Sequence, residues 1–170
     1  MSTCKAKTTQ RAWLFWGIAA ALAMFDQGLK YAIEQWSVLG ESITVTPFFN
    51  LVHARNTGAA FSFLADAGGW QRYFFIAIAL GVCVALILML RRPRPLWDAL
   101  SYSLILGGAI GNLLDRSVRG YVVDYLDLHY QGWHWPAFNL ADIAIVGGAL
   151  VMMVGSLVKP VRPAAEVDRQ

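Results

Sequence analysis

Four aspartates lie in or beside long hydrophobic segments of the 170-residue chain: Asp26, Asp115, Asp124 and Asp142. An ionisable side chain at membrane depth is costly to place there, so its presence indicates a functional site. When two such carboxyl groups are brought together, they share a proton, and the pair can activate water. The four residues therefore predict chemistry at the surface of a membrane.

The hydrophobic segments that carry these aspartates dominate the composition. Hydrophobic residues make up 57% of the chain and charged residues 15%, whereas soluble domains are nearer about 45–50% and about 25%. The apolar residues come in blocks and not in an amphipathic period, which predicts that they face lipid. We predict an α-helical membrane protein with a single domain over residues 1–170. Its four transmembrane helices are expected at about 12–33, 70–90, 96–115 and 137–158, with a disordered tail at about 161–170.

The distribution of basic residues predicts the orientation. Lys5, Lys7 and Arg11 precede the first segment as in a signal peptide, but no small-residue cleavage site follows cleanly, which favours a retained anchor. With the N-terminus inside, nine of the fourteen Lys and Arg residues lie on cytoplasmic segments, three of them in the short loop 91–95. Because basic residues concentrate on the cytoplasmic side, both termini are predicted to be cytoplasmic.

Two outer loops connect the predicted helices. The first, at roughly 31–71, contains β-branched and aromatic runs at 42–46 and 48–53, which predict short strands in a small β-rich cradle. The second, at roughly 117–136, is rich in Tyr and Trp, as expected of a loop that lies at the level of the lipid headgroups. Both loops are expected on the side where the aspartates lie.

Helix geometry places the four aspartates near one interface. At about 1.5 Å per residue, Asp26 lies roughly 22 Å along the first span, and Asp142 lies roughly 25 Å above the inner end of the fourth. Asp115 ends the third span, and Asp124 follows it in the second outer loop. Taken alone, Asp124 could be an ordinary loop carboxylate. Together with Asp142 it indicates a site.

Other polar residues accompany the aspartates at helical spacing. Asn112, Asp115 and Arg116 stand at i, i+3 and i+4 and share one face of the third helix, and Asn139 and Asp142 stand at i and i+3 on the fourth. One interpretation is a structural clamp, in which Asp115 pairs with Arg116 or a neighbour and the asparagines bond across helices. The other is a site assembled from these groups.

Small and flexible residues at two places predict close approach of neighbouring chains. The segment 56–62, Asn-Thr-Gly-Ala-Ala-Phe-Ser, can form a turn between short strands or admit a ligand chain. Gly107 and Gly111 have G-x-x-x-G spacing, which predicts close packing of the third helix on a neighbour.

Other chemistries have weaker support. The two cysteines show no metal-ligand spacing and are expected on different levels of the membrane, so no disulfide, metal or cofactor is predicted. A serine nucleophile would need a base such as Lys30, and no spacing pairs them. The net charge of +3 comes from residues that flank apolar segments, which argues against nucleic-acid binding. The histidines have no carboxylate or Cys partner at metal-ligand spacing and are interpreted as interfacial side chains; they are His53, His129 and His134.

Five motifs, found over about residues 12–158, carry a specific resemblance. They are Asp26-Gln27-Gly28-Leu29-Lys30, Asn56-Thr57-Gly58-Ala59-Ala60-Phe61, Gly111-Asn112-Leu113-Leu114-Asp115-Arg116, Val122-Val123-Asp124-Tyr125 and Phe138-Asn139-Leu140-Ala141-Asp142. In these motifs and their order the chain resembles lipoprotein signal peptidase (signal peptidase II), the bacterial membrane aspartyl peptidase. It departs from the family at Leu29, where a small hydroxyl residue is common, and at Tyr125, where Phe is common.

The resemblance implies roles for individual residues. Asp124 and Asp142 would form the catalytic dyad, and Asp115 would be structural. Residues that bind substrate or support the site would be Asp26, Asn56, Gly108, Asn112, Arg116 and Asn139.

The resemblance also implies the substrate and the cellular setting. The substrate would be a prolipoprotein whose lipobox cysteine carries diacylglycerol, and cleavage would occur just before that cysteine. The enzyme would be a monomer in the bacterial inner membrane, in contact with membrane lipid, with its site at the periplasmic face and with globomycin-type inhibitors. The competing interpretations are a small proton-coupled transporter, which four spans without an inverted repeat do not favour, and a lipid-binding membrane scaffold.

Overall fold

The computed structural model describes residues 3–58 and 68–158, with side chains from residue 13 onward. The predicted disordered tail and residues 59–62 of the small-residue segment lie outside the described residues, as do the basic side chains that precede the first span. The described part forms four helices and a four-stranded antiparallel sheet.

The helices match the predicted apolar segments closely. They are α1 (Thr3–Trp36), α2 (Trp70–Leu90), α3 (Leu96–Val118) and α4 (Leu140–Val158). The helix α3 ends where Gly120 adopts a φ of 87° and its amide N–H reaches the Asp115 carbonyl, because only a residue without Cβ adopts that conformation at low cost. The predicted fourth span began at residue 137, but α4 begins at Leu140.

The helix α3 lies at the centre and packs against the other three. On its face toward α1, the predicted G-x-x-x-G pair has no side chains. A Cβ added at Gly107 would lie 2.8 Å from the Ala19 carbonyl oxygen, and one at Gly111 would lie 2.5 Å from Asp26 Oδ2. The prediction of close packing is therefore confirmed, and the neighbour is α1. Buried apolar residues from α1, α2 and α3 fill the core, among them Phe15, Ala19, Cys83, Leu86, Tyr102 and Leu106.

The outer surface of the helices is apolar. Within the described residues, α2 and α4 are long and apolar enough to cross a membrane, with mean hydropathies of 2.8 and 2.1. Their outward side chains, such as Leu80 and Leu150, are about half exposed. The more polar helices α1 and α3 place their charged side chains against each other, in the interior, where Asp26, Lys30 and Asp115 have no exposed surface.

The sheet has the order β1-β2-β3-β4, with β1 (Ser42–Thr46), β2 (Phe49–Asn56), β3 (Val122–Tyr130) and β4 (Trp133–His134). The first two strands are the predicted ones. The segment at 117–136 was predicted as an interfacial loop, but much of it forms β3 and β4, and its position at the level of the headgroups stays a prediction. Backbone groups of β2 need partners along its second edge, and β3 supplies them.

The register of the sheet sets the position of the second outer segment. Ala54 pairs with Asp124, after a bulge in β2. Phe138 then forms an isolated bridge to Leu126, so the chain runs back along β3 before α4 begins. This return places the start of α4 beside the middle of β3.

Candidate active site

The first turn of α4 positions Asp142 through a reciprocal cap. The backbone N–H of Asn139 donates to Asp142 Oδ2 at 3.1 Å, and the backbone N–H of Asp142 donates to Asn139 Oδ1 at 3.1 Å. This is the geometry of a capping box, in which two side chains satisfy backbone donors of a helix start. Asn139 therefore precedes α4 and is not part of it as predicted. The cap holds the Asp142 carboxylate at a helix N-terminus, which favours an anion.

The strand β3 brings Asp124 to the same cap. Asn139 Nδ2 donates to Asp124 Oδ1 at 2.6 Å, while Asn56 Nδ2 donates to Asp124 Oδ2 at 3.0 Å. Asp124 is 2% exposed, whereas Asp142 is partly exposed. One asparagine side chain thus contacts both aspartates, with its oxygen toward Asp142 and its amide nitrogen toward Asp124. The structure brings the predicted dyad together.

The proton affinity of Asp124 is unusual. Burial, and then the negative charge of Asp142, raise its pKa from 3.8 to about 7, against the hydrogen bonds from Asn56 and Asn139. Two adjacent carboxyl groups in such surroundings hold one proton between them near neutral pH. One group is then a base and the other an acid, as a reaction that activates water requires.

The third helix contributes Asn112 to the site. Its amide Nδ2 donates to Asp142 Oδ1 at 2.9 Å, and its Oδ1 accepts a hydrogen bond from Lys30 Nζ at 3.0 Å. Asn112 therefore lies on the face of α3 that points to the site, as predicted, between the dyad and a buried cation.

Lys30 was not predicted to be part of the site. It is fully buried, and its Nζ lies 2.8 Å from Asp26 Oδ2 and 2.8 Å from Asp115 Oδ2. The sequence carried a signal for the first contact, because Asp26 and Lys30 stand at i and i+4 on α1. The second contact joins α1 to α3 and has no counterpart in local spacing.

Asp26 attaches the start of α4 to α1. Its Oδ1 accepts a hydrogen bond from the Ala141 backbone N–H at 3.0 Å, one residue before Asp142. On the other side, α3 approaches so closely that a Cβ at Gly108 would overlap the Ala141 carbonyl oxygen. Both predicted supporting residues therefore determine the position of the first turn of α4.

Asp115 is at the centre of an ion cluster, and of the two predicted alternatives, Arg116 or a neighbour, the structure shows neighbours. It pairs with Lys30 and with Arg119 Nη1, and it accepts hydrogen bonds from Gln27 Nε2 at 2.9 Å and from the Val123 backbone N–H at 3.3 Å. The proposed pairing with Arg116 is not seen, because adjacent residues on a helix point in different directions.

Arg116 instead contacts the chain that follows β2. Its Nη2 donates to the Gly58 carbonyl at 2.9 Å and its Nη1 to the Asn112 carbonyl at 3.3 Å. Asn56 Oδ1 accepts the Gly58 backbone N–H at 3.0 Å, so Asn56 lies between the turn and Asp124. These contacts bring two predicted binding residues to the side of the dyad where the chain leaves β2.

The histidines lie apart from the dyad. His134 Nδ1 lies 2.9 Å from Asp127 Oδ2, a contact between two strands that local spacing did not indicate. The ring of His129 stacks on that of His134, and His53 is buried near the Ser37 carbonyl. Within the described ranges, no cluster of three or more His, Cys, Asp or Glu side chains could hold a metal ion.

Comparisons with known proteins give one consistent family. A family model described as signal peptidase (SPase) II matches residues 18–158. The chain is 55% identical over 152 residues to a lipoprotein signal peptidase of Serratia marcescens, covering 89% of each chain. It is 48% identical over 156 residues to one from Salmonella newport, covering 90% of this chain and 93% of that one. Two solved structures described as a bacterial membrane enzyme, determined in meso at 2.3 and 1.9 Å resolution, have TM-scores of 0.75 and 0.73 and are 32% identical. The first match covers 87% of this chain and 88% of the solved chain. The second covers 89% of this chain and 94% of the solved chain.

Proposed function

The chain belongs to the signal peptidase II family, and from that membership we propose that it removes the signal peptide from diacylglyceryl-modified prolipoproteins. As a member of the family it is a membrane aspartyl peptidase of lipoprotein processing, not a transporter or a scaffold. The proposed cleavage occurs just before the lipidated cysteine of the lipobox.

The observation that carries this proposal is the pairing of Asp124 and Asp142 around Asn139. In the proposed reaction, the ionised carboxylate takes a proton from water, and the hydroxide forms a bond to the scissile carbonyl carbon. The protonated partner donates its proton to the developing oxyanion. Collapse of the gem-diol intermediate then breaks the C–N bond. The leaving amine takes up the proton that the base received, and one hydroxyl group returns its proton to the partner carboxylate.

The neutral amides suit a peptide substrate. Asn56, Asn112 and Asn139 surround the dyad with groups that donate and accept hydrogen bonds without bringing charge. Arg116 lies beside them, where the chain leaves β2. We propose that these groups orient the peptide backbone over the dyad, with the sheet as a cradle.

The proposed placement in the membrane follows from chain connectivity. The sheet and the dyad lie at the end of the bundle where α1 and α3 finish and α2 and α4 start. Basic residues concentrate at the other end, which would be cytoplasmic. A single domain with four spans would then present its site at the periplasmic face of the inner membrane. There the acyl chains of the substrate stay in lipid while water reaches the dyad. In this placement it would act as a monomer and would bind globomycin-type inhibitors.

The test is cleavage by the purified protein of one precursor in two forms, with and without diacylglycerol on the lipobox cysteine. We expect the lipidated form to be cleaved before the cysteine and the unlipidated form at least about tenfold more slowly, because burial of each methylene contributes about 0.8 kcal/mol. Asp124→Asn and Asp142→Asn serve as inactive controls. Equal cleavage of both forms would reject the lipid requirement, and turnover by either variant would reject the dyad.

A further inference from the structure

A buried cation is connected to the dyad through a single amide. Lys30 Nζ donates to Asn112 Oδ1 at 3.0 Å, and Asn112 Nδ2 donates to Asp142 Oδ1 at 2.9 Å. Lys30 is fully buried and Asn112 is 8% exposed, so bulk water does not stand in for either partner.

The chemistry of the ammonium group determines how Asn112 is oriented. A lysine ammonium has three donors and no acceptor, so the asparagine must present its oxygen to Lys30. The amide nitrogen is then directed at Asp142. Asn139 Nδ2 lies 3.4 Å from the same oxygen and favours the same orientation. Without Lys30, the amide could turn its oxygen toward the carboxylate, where two acceptors repel each other.

We propose that Lys30 is a positioning residue of the peptidase reaction, which holds the Asn112 amide so that it donates to Asp142 and keeps that carboxylate ready to accept a proton. This inference rests on the function proposed above. Lys30 contacts no reacting atom, and its effect passes through Asn112.

The charges around Lys30 determine the sign of the expected pH effect. Lys30 is faced by Asp26 from its own helix and by Asp115 from α3, and Asp115 is also paired with Arg119. Asp142 on α4 and Asp124 on β3 lie beyond Asn112, and the charge of Lys30 lowers the pKa of Asp124 against the larger effect of burial. Removing the cation therefore raises the proton affinity of the dyad.

The experiment measures kcat and KM for the lipidated precursor across pH 5–9 in Lys30→Met, with Arg119→Gln as the matched control. Arg119 contacts the Asp115 carboxylate as Lys30 does but makes no hydrogen bond to Asn112. We expect Lys30→Met to lower kcat about 10- to 100-fold with KM within about threefold, because misdirecting a catalytic group costs this much. The alkaline limb of the kcat profile of Lys30→Met should move to higher pH. Arg119→Gln should keep the wild-type profile.

A second variant covers the case in which Lys30→Met does not fold. Asn112→Asp has the same shape and still accepts a hydrogen bond from Lys30. It lacks the N–H group that donates a hydrogen bond to Asp142. Its kcat should fall to a similar extent.

Wild-type kcat and pH profile in Lys30→Met, or the same change in Arg119→Gln, would overturn the inference. If Lys30→Met does not fold, wild-type kcat in Asn112→Asp would do so. Absence of cleavage by the wild-type protein would instead reject the proposed function, so the two failures are distinguishable.

Discussion

Two pairs of aspartates lie at the same end of the helix bundle and differ in their partners. Asp26 and Asp115 each lie 2.8 Å from the ammonium of Lys30, and Asp115 also pairs with Arg119. Among the described residues, Asp124 and Asp142 form no ion pair and receive their hydrogen bonds from amide groups. The first pair belongs to an ion-paired cluster, and the second is the proposed catalytic dyad.

The two pairs suit different roles because their partners differ. A buried carboxylate with a cation partner links helices, and removal of one partner leaves an uncompensated charge. A buried carboxylate beside a second carboxylate retains its proton to higher pH, and burial followed by the charge of Asp142 raises the pKa of Asp124 to about 7. The protein places the two arrangements side by side and joins them through Asn112.

The largest expected effect is on activity, from neutralising the pair that lacks cations. Asp124→Asn and Asp142→Asn should each lower kcat by at least about 10³-fold, because neither asparagine can accept or deliver the proton. Both variants should stay folded, since asparagine keeps the shape and can accept one of the two hydrogen bonds that each carboxylate receives. The measurement combines turnover of lipidated precursor with thermal unfolding in detergent. A kcat within tenfold of wild type in either variant would remove the distinction between the two pairs.

The next effect is on stability, from neutralising the paired carboxylate. Asp115→Asn leaves Lys30 and Arg119 without one partner and should destabilise the fold by about 3–5 kcal/mol. Thermal or chemical unfolding in detergent measures this loss. Glu34→Gln is the matched control, because Glu34 pairs with the same Arg119 but is 20% exposed, so its loss should cost less than the loss of the fully buried Asp115. Equal effects of the two changes would contradict a buried structural cluster.

The pH dependence distinguishes the pairs in a third way. The pKa of Asp124 is higher in the folded protein than its ordinary 3.8, so its contribution to stability is complete below pH 3.8 and is lost as pH rises through about 7. The loss amounts to at most about 4 kcal/mol. Unfolding at pH 4 and pH 8 should therefore differ more in the wild type than in Asp124→Asn.

The same proton predicts the activity profile. Because the proposed reaction needs one proton on the dyad, its rate should fall as pH rises above about 7. An alkaline limb well above pH 9 in the wild type would show that Asp124 does not carry the proton that the reaction uses.

The smallest expected effect concerns the packing that holds Asp142 in place. Gly108→Ala would put a methyl group into the Ala141 carbonyl of α4, and we expect a loss of about 1–3 kcal/mol in stability together with reduced kcat. Gly147→Ala on α4 is the matched control, since an added Cβ there meets nothing within 4 Å and should be neutral or stabilising. Unchanged unfolding in Gly108→Ala would show that the two helices can separate without cost.

Much of the fold was predictable because its signals are local. Continuous apolar runs indicated the helices, and β-branched and aromatic residues around Pro47 indicated β1 and β2. The strand β3 was missed because its Tyr residues, and the Trp residues after it, also fit a headgroup-level loop. Only the free edge of β2 decides between these interpretations, and that edge exists only in the folded protein.

The candidate site was also predictable only as far as its signals are local. The separation of Asn139 and Asp142 by three residues suited a shared role, although the two form a cap and do not share a helix face. Lys30 was passed over because a single lysine beyond an apolar segment looks like an ordinary flanking charge. Its burial depends on Asp115, which is 85 residues away in the chain.

The sequence by itself determined which side chains could do chemistry and at which end of the helices they would lie, because hydrophobic length and helical rise are local properties. It also determined that Asp26 and Lys30 would be neighbours on one helix. Only the tertiary structure decided which aspartates receive a cation and which share Asn139. Those contacts join α1 to α3 and β3 to α4, and long-range contacts depend on how packed elements meet.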